Sequence, residues 1–205
     1  MNPPGPPLGL FPHVLDFCRS ISPASEPVDL SPDPGPEDVS LDCFMNVRRR
    51  VESEGGKEVL GRRIWEHYGL MIEAEVHSVW QRLDGVLRDV TPCEASPKRI
   101  LFLPDASLQY DGRQINNVRR PLVKNSKILD FIRLCDEEFE ILNKGERAYQ
   151  HGKITLSKEE GARMRKLELQ KGLLMLQIEE TPPGRNELCR CGKGRKFKHC
   201  CGRNK

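Results

Sequence analysis

Long apolar segments are missing from this sequence. The densest ones, 100–103 and 173–176, are four residues long, whereas a membrane-spanning helix needs about 18 apolar residues. No basic stretch followed by an apolar core begins the chain, so the sequence does not predict a secretory signal. We therefore expect a cytosolic protein that does not associate with membranes.

Aromatic residues are also scarce, at 6% of the 205 residues. The Arg119-Arg120 pair has no aromatic residues interleaved with it, which argues against a stacking platform for single-stranded nucleic acid. Hydrophobic residues make up 37% of the chain and charged residues 31%. This composition is too apolar for a fully disordered protein and too polar for a membrane protein, and the length predicts one or two domains.

The charges are distributed unevenly along the chain. Residues 1–40 contain six acidic residues and one arginine, whereas residues 184–205 contain eight basic residues and one glutamate. The formal net charge of the whole chain is only +3. An acidic head, a nearly neutral body and a basic tail predict three pieces with different partners.

The first piece, 1–39, is rich in proline. Ten of the sixteen prolines lie within residues 1–36, and proline fixes φ and lacks an amide donor, which opposes helix and strand formation. We therefore expect a mostly disordered leader. An alternative is a helical turn that docks on the body through its apolar residues: Leu10, Phe11, Val14, Leu15 and Phe17.

The second piece, 40–181, is predicted to be an α+β body. Its first helix is capped by Ser40 and ends at Gly55, with apolar residues at helical spacing between them. Strand-like segments follow at 59–65, 70–82, 86–91 and 99–103, and helices at 126–143 and 157–180. A helix, then antiparallel strands, then helices is an α+β order. The Thr-Pro-Pro-Gly run at 181–184 is expected to act as a hinge.

The third piece, 182–205, contains four cysteines in a short span: Cys189, Cys191, Cys200 and Cys201. A sulfur-ligated metal needs several thiolates about 2.3 Å from one ion, and Gly192 and Gly194 allow the chain to fold back between the two cysteine pairs. Because so short a segment cannot bury a core, a bound metal would supply its folding free energy. Disulfides and exposed free thiols are alternatives, and His199 is an alternative ligand to one of the last two cysteines.

The segment 184–202, which reads GRNELCRCGKGRKFKHCCG, resembles the SEC-C motif, the zinc-binding tail of the bacterial protein-export motor ATPase. This resemblance implies one zinc ion held by the four cysteines. Arg190 and Lys193 stand where the family usually has proline and serine, and neither is a ligand. Tails of this family engage the ribosome or a chaperone, and the basic charge of this one fits an anionic partner such as RNA.

The body contains a candidate thiol site. Cys43 lies in the first turn of its predicted helix, where exposed amides and the helix dipole favour a thiolate. A cysteine nucleophile needs a base, usually histidine, and a third group that orients the base. His77 and Asp89 lie on consecutive predicted strands and can supply these two roles.

The pairing of these two strands decides whether His77 and Asp89 can meet. With a two-residue turn, Leu83 pairs with Val86 and His77 lies on the opposite face from Asp89. With a three-residue loop, Arg82 pairs with Val86 and His77 becomes the diagonal neighbour of Asp89, about 7–8 Å away between backbones. The second register also aligns the apolar residues of the two strands better, so we predict that one.

This arrangement resembles the transglutaminase-like branch of the papain-type fold. That family has a cysteine at a helix start, a histidine on a strand in a His-x-x-Trp-like context, and an aspartate on the next strand, often before Thr-Pro. The resemblance implies that Cys43 is the nucleophile, His77 the base and Asp89 the residue that orients the base.

Each of these residues also has a structural interpretation. Cys43 can be a buried thiol of the core, His77 an exposed or ion-paired residue, and Asp89 a hydrogen-bond acceptor for the following turn. The other three cysteines of the first two pieces are predicted to be structural: Cys18, Cys93 and Cys135. Cys93 lies in a predicted loop and is therefore a rival reactive thiol.

Two classes of function follow from the sequence. One is a thiol hydrolase or acyl transferase that acts on an amide. The other is a non-catalytic adaptor whose zinc-binding tail docks the body onto a ribosome, a nucleic acid or a protein partner. The observation that discriminates between them is whether Cys43, His77 and Asp89 converge at a cleft.

Overall fold

The computed structural model describes residues 4–93, 97–150 and 154–203, which form helices and an antiparallel sheet in the α+β order predicted. The α-helices are α1 (Pro12–Ile21), α2 (Cys43–Glu54), α3 (Ser126–Leu142) and α4 (Lys158–Glu180). The strands are β1 (Val28–Leu30), β2 (Lys57–His67), β3 (Met71–Gln81), β4 (Leu87–Arg88), β5 (Ile100–Pro104) and β6 (Val118–Pro121). Two short 3-10 helices span Gly145–Tyr149 and Phe197–His199.

The sheet is built on the long hairpin of β2 and β3, each 11 residues long. β5 pairs with β2, and β1 extends the sheet beyond β5. β4 and β6 both add to the other edge of β3, at residues 80–81 and 71–74 respectively. Within the described ranges, residues 75–79 of β3 have no strand partner on that edge, and His77 lies in this gap.

α1 packs on one face of the sheet, which corrects the expectation of a mostly disordered leader at 1–39. Val14, Phe17 and Cys18 are fully buried against apolar residues of the sheet: Ile64, Ile72, Ala74, Leu101 and Leu103. Proline does not prevent this helix, because Pro12 occupies its first turn, where the missing amide donor is not needed. The helical turn that the sequence left open is therefore part of a complete helix.

α3 and α4 form an antiparallel pair behind the β2–β3 hairpin. Ser157 caps α4 as predicted, since its hydroxyl accepts from the Glu160 amide at 3.2 Å and the Glu160 carboxylate accepts from the Ser157 amide at 3.1 Å. Three residues of the two helices pack on Leu70 and Met71 at the end of the hairpin: Ile128, Met175 and Ile178. A separate cluster joins the helices to each other: Leu134, Ile141 and Leu167. In the described part of the chain, every helix is too short or too polar to cross a lipid bilayer.

The tail packs against the leader and the body, which corrects the expectation that 181–184 is a hinge for an independent module. A Cβ at Gly192 would lie 2.8 Å from Leu8 Cδ1, and a Cβ at Gly194 would lie 2.3 Å from the Phe11 ring. Both glycines have positive φ, 77° and 63°, so they provide the turn and the close contact together. Arg190 Nη1 donates to the Ile178 carbonyl at 2.9 Å, which fixes the tail to the end of α4.

Candidate functional site

The hairpin that carries His77 and Asp89 has the second of the two registers considered above. Trp80 lies opposite Arg88, and the Arg82 amide donates to the Val86 carbonyl at 2.9 Å. The loop between them therefore has three residues and includes a glycine with a φ of 84°. This register places His77 Nε2 at 2.9 Å from Asp89 Oδ1, with both side chains almost fully buried.

Cys43 lies at the first position of α2, one residue after the helix N-cap Asp42 rather than after the predicted cap Ser40. Its side chain is 9% exposed and lines the same cleft as the His77 imidazole, near enough for the Cys43 sulfur to help raise the pKa of His77. Because Nε2 of His77 is bonded to Asp89, Nδ1 is the ring nitrogen that remains for the sulfur. Cys43, His77 and Asp89 thus converge.

Electrostatic interactions favour a charged His77. Burial alone would lower the pKa of His77, but the Asp89 carboxylate and the Cys43 sulfur outweigh it and raise this pKa from 6.5 to about 10. Burial alone would raise the pKa of Asp89, but the His77 charge and hydrogen bond hold it below its usual value. The Thr91 amide adds a hydrogen bond of 3.0 Å to Asp89 Oδ1. The arrangement stabilises an imidazolium–carboxylate pair.

The helix start is held in place by Asn46, a residue that the sequence gave no reason to select. Asn46 is fully buried. Its amide group accepts from the Val39 amide at 2.9 Å and donates to the Val39 carbonyl at 2.8 Å, and it also contacts Thr91 Oγ1 at 3.4 Å. The loop that it holds contains Leu41, which has a φ of 65°, an unfavourable value for a residue with a branched side chain. Asn46 therefore joins the Cys43 segment to residues 89–91, which follow β4 because that strand ends at Arg88 and not at 91 as predicted.

Cys43 and His77 line a cleft of about 780 Å³. Asp89 does not line the cleft and contacts His77 from the buried interior. The walls of the cleft include charged and aromatic side chains: Arg63, Trp65, Glu73, Glu75 and Tyr110. Cys93 also lines the cleft. Burial raises the pKa of both Cys18 and Cys135 to about 11, which fits the structural roles predicted for them.

A second thiol-rich site lies in the tail. The sulfur atoms of Cys189, Cys191, Cys200 and Cys201 are all within 4.8 Å of one another. The Cys189 amide donates to the Arg195 carbonyl at 2.8 Å, and this closes the loop that carries the first two cysteines. The 3-10 helix Phe197–His199 then leads into the last two. The exposed His199 is not part of this group of ligand atoms in the described ranges.

The geometry of this cluster fits a metal ion. Four sulfur atoms at about 2.3 Å from one ion in a tetrahedron are roughly 3.8 Å apart, compatible with the observed limit of 4.8 Å. All eight cysteines, each within the described residues, are free thiols, and the 3.3 Å between Cys191 Sγ and Cys200 Sγ is far longer than a disulfide bond. The cluster could therefore hold a metal ion, and its thiolate ligands are consistent with zinc.

Comparisons with known proteins agree with this view of the tail. The chain is 32% identical over 101 residues to the protein translocase subunit SecA of Stenotrophomonas maltophilia, a match that covers 43% of this chain and 10% of that relative. A SecA of Halothermothrix orenii is 58% identical over 26 residues, 13% of this chain and 3% of the relative. The chain thus spans a tenth or less of these curated relatives. Together with the cysteine cluster, the matches fit a SEC-C zinc motif.

No protein-family model and no solved structure matches the chain. The transglutaminase-like resemblance of the body therefore has no support in these comparisons. The Cys43 site is described by its own geometry alone.

Proposed function

We propose that this protein is a cysteine-dependent hydrolase or acyl transferase that acts on an amide, with Cys43, His77 and Asp89 as its catalytic residues. The observation that carries the proposal is the 2.9 Å bond between His77 and Asp89 beside Cys43, at the wall of a cleft. Nucleophile, base and orienting carboxylate in this order are what thiol catalysis of acyl transfer requires.

In the proposed reaction, the proton of the Cys43 thiol already resides on His77, whose raised pKa keeps it charged, and the Cys43 thiolate forms a bond with the carbonyl carbon of the amide. The C–N bond then breaks, and His77 returns the proton to the leaving amine. Water attacks the resulting thioester to release an acid, or an amine attacks it to give a new amide, and the thiol of Cys43 is regenerated. Asp89 orients the ring and stabilises the imidazolium throughout.

The start of α2 offers a donor for the oxyanion that forms during this attack. The first hydrogen bond of the helix runs from the Asn46 amide to the Asp42 carbonyl at 3.0 Å. The Cys43 amide precedes it and is not used within the helix. We assign this amide as a donor to the oxyanion, beside the sulfur that attacks.

Brief labelling with iodoacetamide at pH 6–7 tests the proposal. Peptide mass spectrometry of the eight cysteines should show Cys43 alkylated faster than Cys18, Cys93 or Cys135. Replacing His77 with alanine should lower the Cys43 rate by about 100-fold, the usual contribution of a positioned base. His67→Ala on the neighbouring strand is the matched control and should leave the rate unchanged. Equal labelling of Cys43 and Cys93 would contradict the proposal.

We further infer that the tail is a zinc-binding SEC-C module and that its surface binds an anionic partner. The observation that favours this second function is a group of exposed cations around the cysteine cluster: Arg185, Lys193, Arg195, Lys196 and Arg203. RNA, including ribosomal RNA, is the partner class that such a surface fits, and protein-translocation machinery is the partner class that the SecA matches suggest.

The charges of the tail provide a test that leaves its packing intact. Replacing Lys193, Arg195 and Lys196 together with glutamine should reduce the slope of log affinity against log salt for ribosomes by about 2–3. The control removes the same charge from the body through three exposed lysines: Lys124, Lys158 and Lys166. Equal loss of binding in both variants would assign the affinity to net charge and exclude a binding surface on the tail.

A further inference from the structure

Arg63 is a buried cation that the proposed reaction does not use. It lies on β2 opposite Glu75 of β3, is 5% exposed, and contributes to the wall of the Cys43 cleft. Its Nε and Nη2 atoms have no hydrogen-bond acceptor among the described residues. These two nitrogens lie on the same edge of the guanidinium, the edge that binds a carboxylate with two parallel hydrogen bonds.

The neighbours of Arg63 leave this edge unoccupied while they hold the group in place. The guanidinium carbon lies 4.3 Å from the centre of the Trp65 ring, a cation–π contact. The cross-strand partner Glu75 accepts instead from the Trp65 indole N–H at 2.7 Å. Asp89 is near enough for the Arg63 charge to help lower the Asp89 pKa. Its Oδ1 accepts from His77 and the Thr91 amide, and its Oδ2 makes no hydrogen bond to Arg63 or to another described residue.

A guanidinium buried without acceptors is costly, because its hydration is lost and nothing replaces it. A ligand that supplies two oxygen atoms in one plane recovers this cost, and a carboxylate is the group with that geometry. The other carboxylates of the cleft wall are engaged, since Glu73 accepts from Arg119 at 2.9 Å and from Asn117 at 2.6 Å. Because Arg63 lines the cleft, a ligand bound there is the group that can meet these two hydrogen bonds.

We propose that Arg63 binds a carboxylate of the substrate, so that the amide processed by Cys43 belongs to a molecule that carries a free carboxylate near the scissile bond. This inference rests on the proposed function for the identity of the reaction, and on Arg63, Trp65 and the cleft for the identity of the substrate. A neutral amide of the same shape would lack the charged acceptor and would bind more weakly.

Two measurements test the inference, and the first does not depend on Cys43 reactivity. N-acetylglycine and its neutral isostere N-acetylglycinamide are titrated into the full chain while the tryptophan indole N–H signals are followed by NMR. Only the carboxylate should shift the Trp65 signal. The Trp80 indole, which donates to the Gly55 carbonyl at 2.9 Å, is the internal control, and the Trp80→Phe variant assigns the two signals.

The second measurement compares alkylation of Cys43 by charged and neutral reagents. The pairs are iodoacetate with iodoacetamide, and N-iodoacetylglycine with N-iodoacetylglycinamide, which hold the carboxylate at two distances from the reacting carbon. The His77 imidazolium also attracts anions, so the preference for the charged reagent must be compared between variants. Arg63→Met should lower this preference by about 10- to 100-fold for at least one pair, the range expected for a charged hydrogen bond.

Matched variants separate a ligand contact from loss of charge. Arg62→Met removes the same charge from the adjacent residue, which is also buried and lies beside Asp105, and it should keep the carboxylate preference. Arg63→Lys keeps the charge but cannot form two parallel bonds, so it should retain only a small part of the preference. If Arg63→Met does not fold, the NMR titration of the wild type and the alkylation preference of Arg63→Lys still test whether Arg63 binds a carboxylate.

The outcomes distinguish this inference from the proposed function. A Trp65 shift with the carboxylate, but no fast labelling of Cys43, would reject the catalytic proposal and keep a carboxylate site. Fast labelling of Cys43 with equal responses to the charged and neutral ligands would keep the catalytic proposal and overturn the role of Arg63. A loss of rate for both reagents in Arg63→Met, with a shifted pH profile, would show that Arg63 acts only on Asp89, and would also overturn it.

Discussion

The two thiol sites of this protein differ in how the chain assembles them. The tail places four cysteines within 13 residues, and one tight turn brings their sulfur atoms together. The Cys43 site takes its three side chains from a helix start, from β3 and from the residue that follows β4, and their convergence depends on strand register. A local site is encoded in residue spacing, whereas a dispersed site is encoded in the packing of the whole body.

The sites also differ in what their sulfur atoms can do. In the tail each thiol has three others as neighbours, a composition suited to holding a metal with all ligand positions filled. Cys43 has a histidine and a cleft as neighbours, a composition suited to reaction with a ligand that enters. The difference predicts that each site can be disabled without the other.

The largest expected effect is on the tail. Replacing Cys189 and Cys191 with serine should lower bound zinc from about one equivalent to none, measured by elemental analysis of the purified protein, because half of the ligands are lost. Hydrogen exchange in residues 5–11 should rise strongly, since the tail packs on Leu8 and Phe11.

The control for this variant removes two cysteines outside the cluster, Cys93 and Cys135. It should keep one equivalent of zinc. Alkylation of Cys43 should be unchanged by loss of the metal, and a parallel loss at both sites would show that the two sites are not separable.

The next largest effect is expected at Asp89. Replacing Asp89 with alanine leaves the buried His77 without its carboxylate, which should lower the free energy of unfolding by about 3–5 kcal/mol in urea titrations. Asp84→Ala, in the exposed loop of the same hairpin, should cost no more than about 1 kcal/mol. Similar costs for the two variants would mean that the His77–Asp89 pair is solvated.

A third prediction concerns pH. The pKa of His77 is raised from 6.5 to about 10 in the folded protein, so its stabilising contribution is complete below about pH 6.5 and is lost as the pH rises towards 10. The difference in unfolding free energy between the wild type and His77→Gln should therefore be largest near pH 6 and should shrink by pH 10. A difference that grows with pH would contradict a charged His77.

The smallest expected effect is at Leu41. Its φ of 65° is unfavourable for leucine, and its side chain is 75% exposed, so Leu41→Gly should stabilise the protein by up to about 1 kcal/mol in thermal unfolding. Gly85→Ala, at a φ of 84°, should destabilise it by a similar amount. A slower reaction of Cys43 in Leu41→Gly would show that this strained loop also orients the nucleophile.

The sequence predicted the tail cluster, the body helices and the hairpin register, because spacing, capping residues and apolar alternation are local signals. α3 and α4 each differ from the prediction by one residue at one end. α3 ends at Leu142 and not at 143, and α4 begins at Lys158 and not at 157. The prediction of a mostly disordered leader was wrong, because it was based on the proline content. The apolar face of α1 packs on residues more than 40 positions away in the chain, which the local sequence does not indicate.

Asn46 and Arg63 could not be selected from the sequence. An asparagine in a helix and an arginine in a strand are usually solvated, and only the tertiary structure shows them buried beside the cleft. Convergence of Cys43 with His77 could likewise be stated only as an alternative, since nothing local determines which sheet edge α2 covers. The burial of such polar side chains is determined by tertiary packing, and the sequence pattern does not reveal it.

The contact of Leu8 and Phe11 with Gly192 and Gly194 joins segments about 180 residues apart, a separation that makes closure slow. During synthesis the first of these segments leaves the ribosome long before the second exists. α1 can settle on the sheet as soon as β2, β3 and β5 are made, and Gly5 can pair with Glu66 of β2 at the same stage. The contacts of Leu8 and Phe11 with the tail form only after the tail is made. Completion of the amino-terminal segment is therefore a late folding step, set by the arrival of the last residues of the tail.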